Sequence, residues 1–482
     1  MNRKNYIGHL ALALLLISLA ALVGQVRRWQ NVQRGTFTAR VTREQIEYPP
    51  HETTAVRERR TNDADVLVRF RPGVSEERIV AITSGLNDDI EDEIEAVGGL
   101  VAIDDLDGEE AADVVADYSA LPEVEYVEEN DYQSFDDPRG QSPSVTSHLY
   151  PSMNAGPNDP LLGEQWALVN TGQRGGRDKA DIDALGAWAR THGSDRVVVA
   201  VLDSGVDYTH SDLVNNMWLR PDNVAPYVDA DLGEIDDVHG FNAVENNGDP
   251  MDDNGHGTHC AGIVGAEGNN DEGIAGVNWK VEIMPLKFMS AGGFGTTKDA
   301  IEAINYVIAR KKAGVNVRVI SASWGSTRKS RALEDVIRKA GEEGILFVAA
   351  SGNSSANTDR RPHYPSSYNL PNVVSVAALT RRDELAGFSN YGAKSVHVAA
   401  PGAEIMSTWL NGAYEEHSGT SMATPVVSGI AALVLSTDEK LSVQELKARL
   451  LESVDKLDSL KGKTVSGGRI NAARAVGASA GR

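Results

Sequence analysis

Val197-Val198-Val199-Ala200-Val201-Leu202-Asp203-Ser204-Gly205-Val206-Asp207 is the stretch that decides the fold. Six apolar residues, four of them valine, run without a polar break into a carboxylate and a glycine turn. A strand with one wet face alternates apolar and polar residues. An unbroken run of strand length belongs instead to a strand covered on both faces, as in a parallel sheet between helices. The same texture returns at Val281 to Leu286, Val317 to Ile320, Ile345 to Ala350 and Val373 to Ala378. Helix-length segments lie between, such as Thr297 to Lys311 and Ser330 to Gly341. The pattern predicts an α/β fold with a mostly parallel sheet flanked by helices. Sites in such sheets form beyond the carboxyl ends of strands, where Asp203 falls.

Three short segments then offer acid, imidazole and hydroxyl. Asp203 opens Asp203-Ser204-Gly205, His256 sits in Asn254-Gly255-His256-Gly257-Thr258-His259, and Ser421 sits in Gly419-Thr420-Ser421-Met422-Ala423-Thr424-Pro425 before an apolar helix. Acyl transfer needs these three types together. A hydroxyl is a weak nucleophile until an imidazole takes its proton, and a buried carboxylate fixes the imidazole tautomer. The oxyanion that follows needs preorganised donors. Asn353, in Ala349-Ala350-Ser351-Gly352-Asn353 after an apolar strand, offers a side-chain N–H, and the backbone N–H of Ser421 at a helix start offers a second. Each segment alone reads as an ordinary turn or helix cap.

Together they resemble the subtilisin-like serine proteases, the subtilase family (peptidase family S8). The order Asp, His, Asn, Ser is that family's order, and the resemblance runs from Asn158-Asp159-Pro160 to Gly468-Arg469-Ile470-Asn471-Ala472. It implies a subtilisin-like fold in which Asp203 orients, His256 is general base and then acid, Ser421 is the nucleophile and Asn353 completes the oxyanion hole. It also implies that Ser321-Ala322-Ser323-Trp324-Gly325 and Gly293-Phe294-Gly295 are opposing substrate edges. A peptide between such edges adds as a strand. Ala350, Ser351 and Gly352 would line the pocket for the residue before the cut bond, and His363, ahead of Tyr364-Pro365, stands where the family borders that pocket. The chemistry requires no cofactor. Structural calcium is implied at Asp212 and Asn270, in a loop Gly268 to Gly273 one residue longer than the family pattern. Asp249, Asp252 and Asp253 form a further acidic cluster that could bind calcium or be a charged loop. After Pro425 the sequence departs from many members, with Val426 where a histidine is common. Cys260, four residues after His256, falls on the same helical face and resembles the cysteine of a subset of the family.

Working outward, the 482 residues carry a net charge of −23. That excludes a general affinity for nucleic acid. Residues 1–60 hold ten Lys/Arg and four Asp/Glu, residues 61–135 three Arg and twenty-two Asp/Glu. The second segment is therefore net −19, and the rest of the chain after it net −10. Such asymmetry marks a separate module. Its pattern is α+β: a strand at Asp65 to Phe70, a helix from Ser75, a helix over Gly108 to Leu121 and a strand from Val124. It resembles the family's I9-like inhibitor propeptide, which implies processing within 132–158, near Phe135. The single cysteine excludes an internal disulfide. Arg3 and Lys4 before the apolar run Leu10 to Val23 predict a signal peptide or membrane anchor.

The expected organisation is 1–26 signal peptide or anchor, 27–60 linker, 61–135 propeptide, 136–157 linker and 158–482 catalytic domain. The expected function is a secreted or surface-anchored serine endopeptidase, made as an autoprocessed zymogen and monomeric. Its partners are protein or peptide substrates and its own propeptide. A selective processing protease and a catalytically silent binding scaffold are the competing readings.

Overall fold

The computed structural model describes residues 65–135 and 156–478, all within one compact unit. The expected signal or anchor, the linker 27–60 and most of the linker 136–157 lie outside the described residues.

The acidic segment folds as β1 (Val66–Phe70), α1 (Glu76–Leu86), β2 (Asp88–Glu93), β3 (Leu100–Asp105), α2 (Ala111–Ser119) and β4 (Val124–Glu129), and a short strand β5 (Tyr132–Ser134) follows. The first four strands form an antiparallel sheet in the order β2-β3-β1-β4. Ser75 caps α1, accepting from Arg78 N at 3.3 Å, with Glu76 and Glu77 in the first turn, where the helix dipole favours acids. Strand alternation gives the sheet two apolar faces. Val66, Val68 and Phe70 pack with Ile79, Ile82, Val114 and Tyr118 inside the module. Leu67, Leu100, Ala102 and Tyr126 face the other way, onto the body that follows.

That body is built on β6 (Gly193–Asp203), β7 (Phe241–Asn242), α3 (His256–Gly265), β8 (Lys280–Lys287), α4 (Thr297–Lys312), β9 (Val317–Ala322), α5 (Arg331–Glu342), β10 (Leu346–Ala350), β11 (Val373–Leu379), β12 (Val398–Pro401), α6 (Thr420–Thr437), β13 (Val454–Lys456) and β14 (Gly468–Ile470). The nine-stranded sheet runs β13-β14-β12-β11-β10-β9-β6-β8-β7. Only the β13–β14 pair is antiparallel. The apolar run Val197 to Leu202 lies in β6, an interior strand of this sheet. Val197, Val199 and Val201 enter one core with residues of α3 and α6. Val198, Ala200 and Leu202 enter the other with residues of α4 and α5. This two-sided burial is why the strand carries no polar break.

Thr296 and Asp299 form a capping box that starts α4. Among the described residues, the one helix long and apolar enough to cross a membrane is Thr420–Thr437, and its apolar window is 89% buried inside the protein.

Candidate active site

Asp203 closes β6 and is fully buried. Its Oδ1 accepts from Ser204 N at 2.8 Å and from His256 Nδ1 at 2.8 Å. His256 opens α3 and is almost fully buried. Burial works against its charged form, but the adjacent Asp203 carboxylate, with a smaller contribution from Cys260, outweighs this and holds the imidazole well above its ordinary pKa. With Nδ1 donating to the carboxylate, Nε2 is the ring atom left to take a proton. It has no hydrogen-bond partner among the described residues. Ser421 stands in the first turn of α6, and its Oγ donates to Ser323 O at 3.1 Å, so the hydroxyl is not bonded to the imidazole. Catalytic hydrogen bonds often close only when substrate is aligned.

Asn353 is oriented by its oxygen, which accepts from Thr420 N at 2.8 Å and Thr420 Oγ1 at 2.9 Å. A Cβ built on Gly419 would lie 3.4 Å from both Asn353 Nδ2 and Ser421 N. Two N–H donors therefore converge on one small space that glycine leaves open, beside the serine. That arrangement can bind an oxyanion.

The groove beside these groups holds part of the same chain. Strand β5 pairs antiparallel with Phe294–Thr296, with Ser134 opposite Phe294 and Gln133 opposite Gly295. On the other side Ser134 bridges Gly325, whose N donates to Ser134 O at 3.2 Å. Phe135 then stacks on the His256 ring with centroids 3.8 Å apart. Upstream, the module caps two helices of the body. Thr297 N donates to Asp131 O at 2.7 Å and Lys298 N to Asn130 Oδ1 at 2.9 Å, at the start of α4. Glu128 accepts from Arg331 N at 2.8 Å and Ala332 N at 3.2 Å, and from the Ser330 hydroxyl, at the start of α5. Carboxylates and carbonyls there meet unpaired helix N–H groups and the positive end of the dipole.

Of the residues expected along the groove, Gly293, Phe294, Gly295 and Gly325 lie beside this strand or Phe135, and Ser323 lies at Ser421. Ser321 and Ala322 do not. They are central in the sheet, between β6 and β10, and Ser321 Oγ accepts from Ser428 Oγ at 2.9 Å. Trp324 turns inward, donating Nε1–H to Leu202 O at 2.9 Å. Ala350 and Ser351 are buried at the end of β10, and Gly352 N donates to Thr420 Oγ1 at 3.2 Å, which ties that segment to the start of α6.

Asp212 and Asn270, the residues expected at calcium, meet, and Asn270 Nδ2 donates to Asp212 Oδ1 at 2.8 Å. Asp212 Oδ2 accepts from Ile274 N at 3.0 Å and Tyr414 OH at 3.2 Å. Calcium is held by oxygens, and here the Asp212 carboxylate is engaged by three donors. The second acidic cluster is also occupied. Asp252 accepts from Ser204 Oγ (2.9 Å), Asn254 N (2.9 Å), Gly255 N (3.0 Å), Thr258 N (3.0 Å) and Thr258 Oγ1 (2.6 Å). Asp253 pairs with Lys287, and Asp249 accepts from Tyr208 OH. Asp252 thus fixes the loops carrying Asp203 and His256, a positioning role that the sequence alone does not reveal. Cys260 lies one turn after His256 as expected, its buried Sγ 3.9 Å from His256 Nδ1 and 3.6 Å from Ser421 O, and burial pushes its thiol pKa up.

Residues 194–474 match the model of the subtilase family. Thermitase of Thermoactinomyces vulgaris is 36% identical over 295 residues, covering 61% of this chain and 93% of thermitase. Subtilisin-like protease 2 of Plasmodium falciparum (isolate 3D7) is also 36% identical, over 61% of this chain but 22% of that protein, so the chain spans about a fifth of that relative's length. The crystal structure of fervidolysin from Fervidobacterium pennivorans, a keratinolytic enzyme related to subtilisin, superposes with a TM-score of 0.65 at 23% identity, over 86% of this chain and 61% of that one, a likeness of fold. With the family model matching more than half of its length, this chain belongs to the subtilase family.

Proposed function

We propose that the chain is a serine endopeptidase made as a self-processing zymogen, with residues 61–135 as an inhibitory propeptide ahead of the catalytic domain. The observation that carries this reading is the strand Tyr132–Ser134, paired on both edges of the groove and followed by Phe135 against His256. A segment that leaves a module, pairs between two strand edges and ends against His256 has the form of a substrate or product. The similar thermophilic serine proteinase of Bacillus sp. (strain AK1), 38% identical over 60% of this chain, supports the same activity.

The chemistry follows from the groups present. His256 Nε2 takes the Ser421 hydroxyl proton as Oγ bonds to the scissile carbonyl carbon. The carbonyl π pair moves to oxygen, and Asn353 Nδ2 and Ser421 N receive that oxyanion. The imidazolium, stabilised by Asp203, returns its proton to the leaving nitrogen as the C–N bond breaks. Water repeats the sequence on the acyl-enzyme: it loses a proton to His256, and Ser421 recovers one. No cofactor enters. The basic N-terminus and its 14-residue apolar run support export, by signal peptide or anchor.

The test is expression of wild type and Ser421→Ala, with mass spectrometry of the N-termini and labelling by a fluorophosphonate. Wild type should mature and take the label; Ser421→Ala should do neither. Normal maturation of Ser421→Ala without another protease present defeats the reading.

A further inference from the structure

One histidine beside the groove has no part in the acyl-transfer steps. His363 is 4% exposed and its main chain is fixed on both sides. His363 O accepts from Ser367 N at 2.8 Å and Ser366 Oγ at 2.9 Å, and His363 N donates to Ser367 Oγ at 3.1 Å. The next residue, Tyr364, exchanges two 2.8 Å backbone hydrogen bonds with Ser326. The main chain at His363 is therefore fixed behind the substrate-pairing edge. A Cβ built on Gly325 would lie 2.4 Å from His363 Cε1 and 3.1 Å from Nδ1, so the missing side chain of residue 325 points at this ring.

We propose that His363 makes the cleft select peptides with an aspartate or glutamate immediately before the cut bond. The inference rests on the protease reading above and deepens it.

Register decides which substrate side chain meets the ring. Ser134 is opposite Gly325 in an antiparallel bridge. Two steps along, the substrate residue opposite Ser323 is the one beside the nucleophile, because Ser323 O accepts the Ser421 hydroxyl. Side chains alternate along an extended peptide, and directly paired residues share a face. Phe135 turns to the His256 side. The next residue of a peptide in this groove therefore turns to the opposite face, the one on which residue 325 looks onto His363. Imidazole N–H groups donate to a carboxylate, whereas an apolar side chain offers them no acceptor. The chain's own sequence gives independent support: the residues after Phe135 are Asp136-Asp137. At the junction expected to be cut, the chain itself presents a carboxylate.

The test uses enzyme matured from the full chain and four peptide anilides identical except for Glu, Asp, Phe or Leu before the anilide. An acidic peptide should exceed the Phe peptide in kcat/KM by about tenfold or more, the usual weight of a hydrogen bond to a charged group. His363→Gly should lower kcat/KM for the acidic peptides by about 10- to 100-fold and raise it for Phe. His363→Lys, which restores a donor, should keep the acidic preference. Fluorophosphonate labelling shows whether each variant has folded with a working serine, and the wild-type panel decides alone where a variant does not. Wild type that takes the label and prefers Phe or Leu, or that cleaves no acidic peptide, overturns this inference and leaves the protease reading intact. So does a labelled His363→Gly with the wild-type ratio. Wild type that neither takes the label nor cleaves any of the four removes the protease reading and this inference with it.

Discussion

The ring of Phe135 lies on the imidazole of His256, with centroids 3.8 Å apart and planes 26° apart. The base is thereby covered by the residue that ends the described part of the acidic module. The backbone reaching it is held by Gly325 on one side and Phe294–Thr296 on the other. Pairing on both edges fixes register, and a one-residue slip would turn every side chain to the wrong face. With Ser134 opposite Gly325 and Ser421 Oγ on Ser323 O, the bond to be cut follows the second residue after Ser134. Mass spectrometry of matured enzyme should find a first N-terminus at Asp137. A first cut at any other bond would show that this register is not the one used in processing.

Asn353 is held by its oxygen, and its nitrogen and Ser421 N face the same small space left by Gly419. Asn353→Ala removes a donor that matters most in the transition state. In subtilisin itself, loss of the corresponding asparagine costs about 2.7–4 kcal/mol, which sets the scale. Steady-state kinetics should show kcat lower by about 10²–10³-fold with KM little changed. A change confined to KM would mean that Asn353 holds substrate rather than the oxyanion.

What could be read from sequence here, and what could not, separates along physical lines. Strand β6 was legible because two-sided burial forbids polar residues along Val197 to Leu202. Asp203, His256 and Ser421 were legible as motifs, although nothing in their spacing brings them together; that comes from the parallel sheet and the helices that follow. β2 was not legible, since five of its six residues are acidic and only pairing with β3 makes it a strand. Tyr132–Ser134 was missed for the same reason: three residues become a strand only by lying in a groove. Asp252 read only as part of an acidic cluster or charged loop, because its donors come from both Ser204 and Thr258, residues in two different segments. The contact of Tyr414 with Asp212 was not legible, because its hydroxyl arrives from a hairpin about 200 residues away in sequence. Ser321 and Ala322 were placed at the groove because the strand was ended too early, at Ile320 rather than Ala322.

Cys260 gives a chemical check on the site. Its Sγ is 3.9 Å from His256 Nδ1, and the residue is 1% exposed. A mercurial bound to this sulfur has no room that does not displace the imidazole or the Ser421 turn. Treatment of matured enzyme should abolish peptide hydrolysis, with reactivation by excess thiol. The Cys260→Ala variant should be active and insensitive. Full activity of wild type with Cys260 stoichiometrically modified would contradict the placement.

The interface between the acidic module and the catalytic body should respond to pH, with a definite sign. Lys298 Nζ on α4 contacts Asp92 Oδ2 of the module at 2.8 Å and Glu91 at 3.6 Å. Oxygens of Asp92, Asp229 and Glu302 lie within 4.8 Å of one another, all buried. Asp231 and Glu95 face the same region, accepting from Glu93 N at 2.9 Å and Ala230 N at 3.0 Å. Burial pushes Asp92 up to about 7, Lys298 pulls it part of the way back, and Asp229 and Asp231 add to the rise. Burial moves Glu302 upward as well. Released into water, Asp92 returns to an ordinary carboxylate value near ~3.9. The docked form therefore binds more protons than the released form between about 4 and 7. Docking is tightest in acid, weakens as pH rises through that window, by at most about tenfold per unit for each proton taken up, and levels off above about 7. The inhibition constant of the module for matured enzyme, measured from pH 5 to 8, should rise and then flatten. Asp92→Asn should shrink the slope below pH 7, because its amide cannot titrate. A wild-type inhibition constant independent of pH over this range would mean that these carboxylates do not change protonation on release.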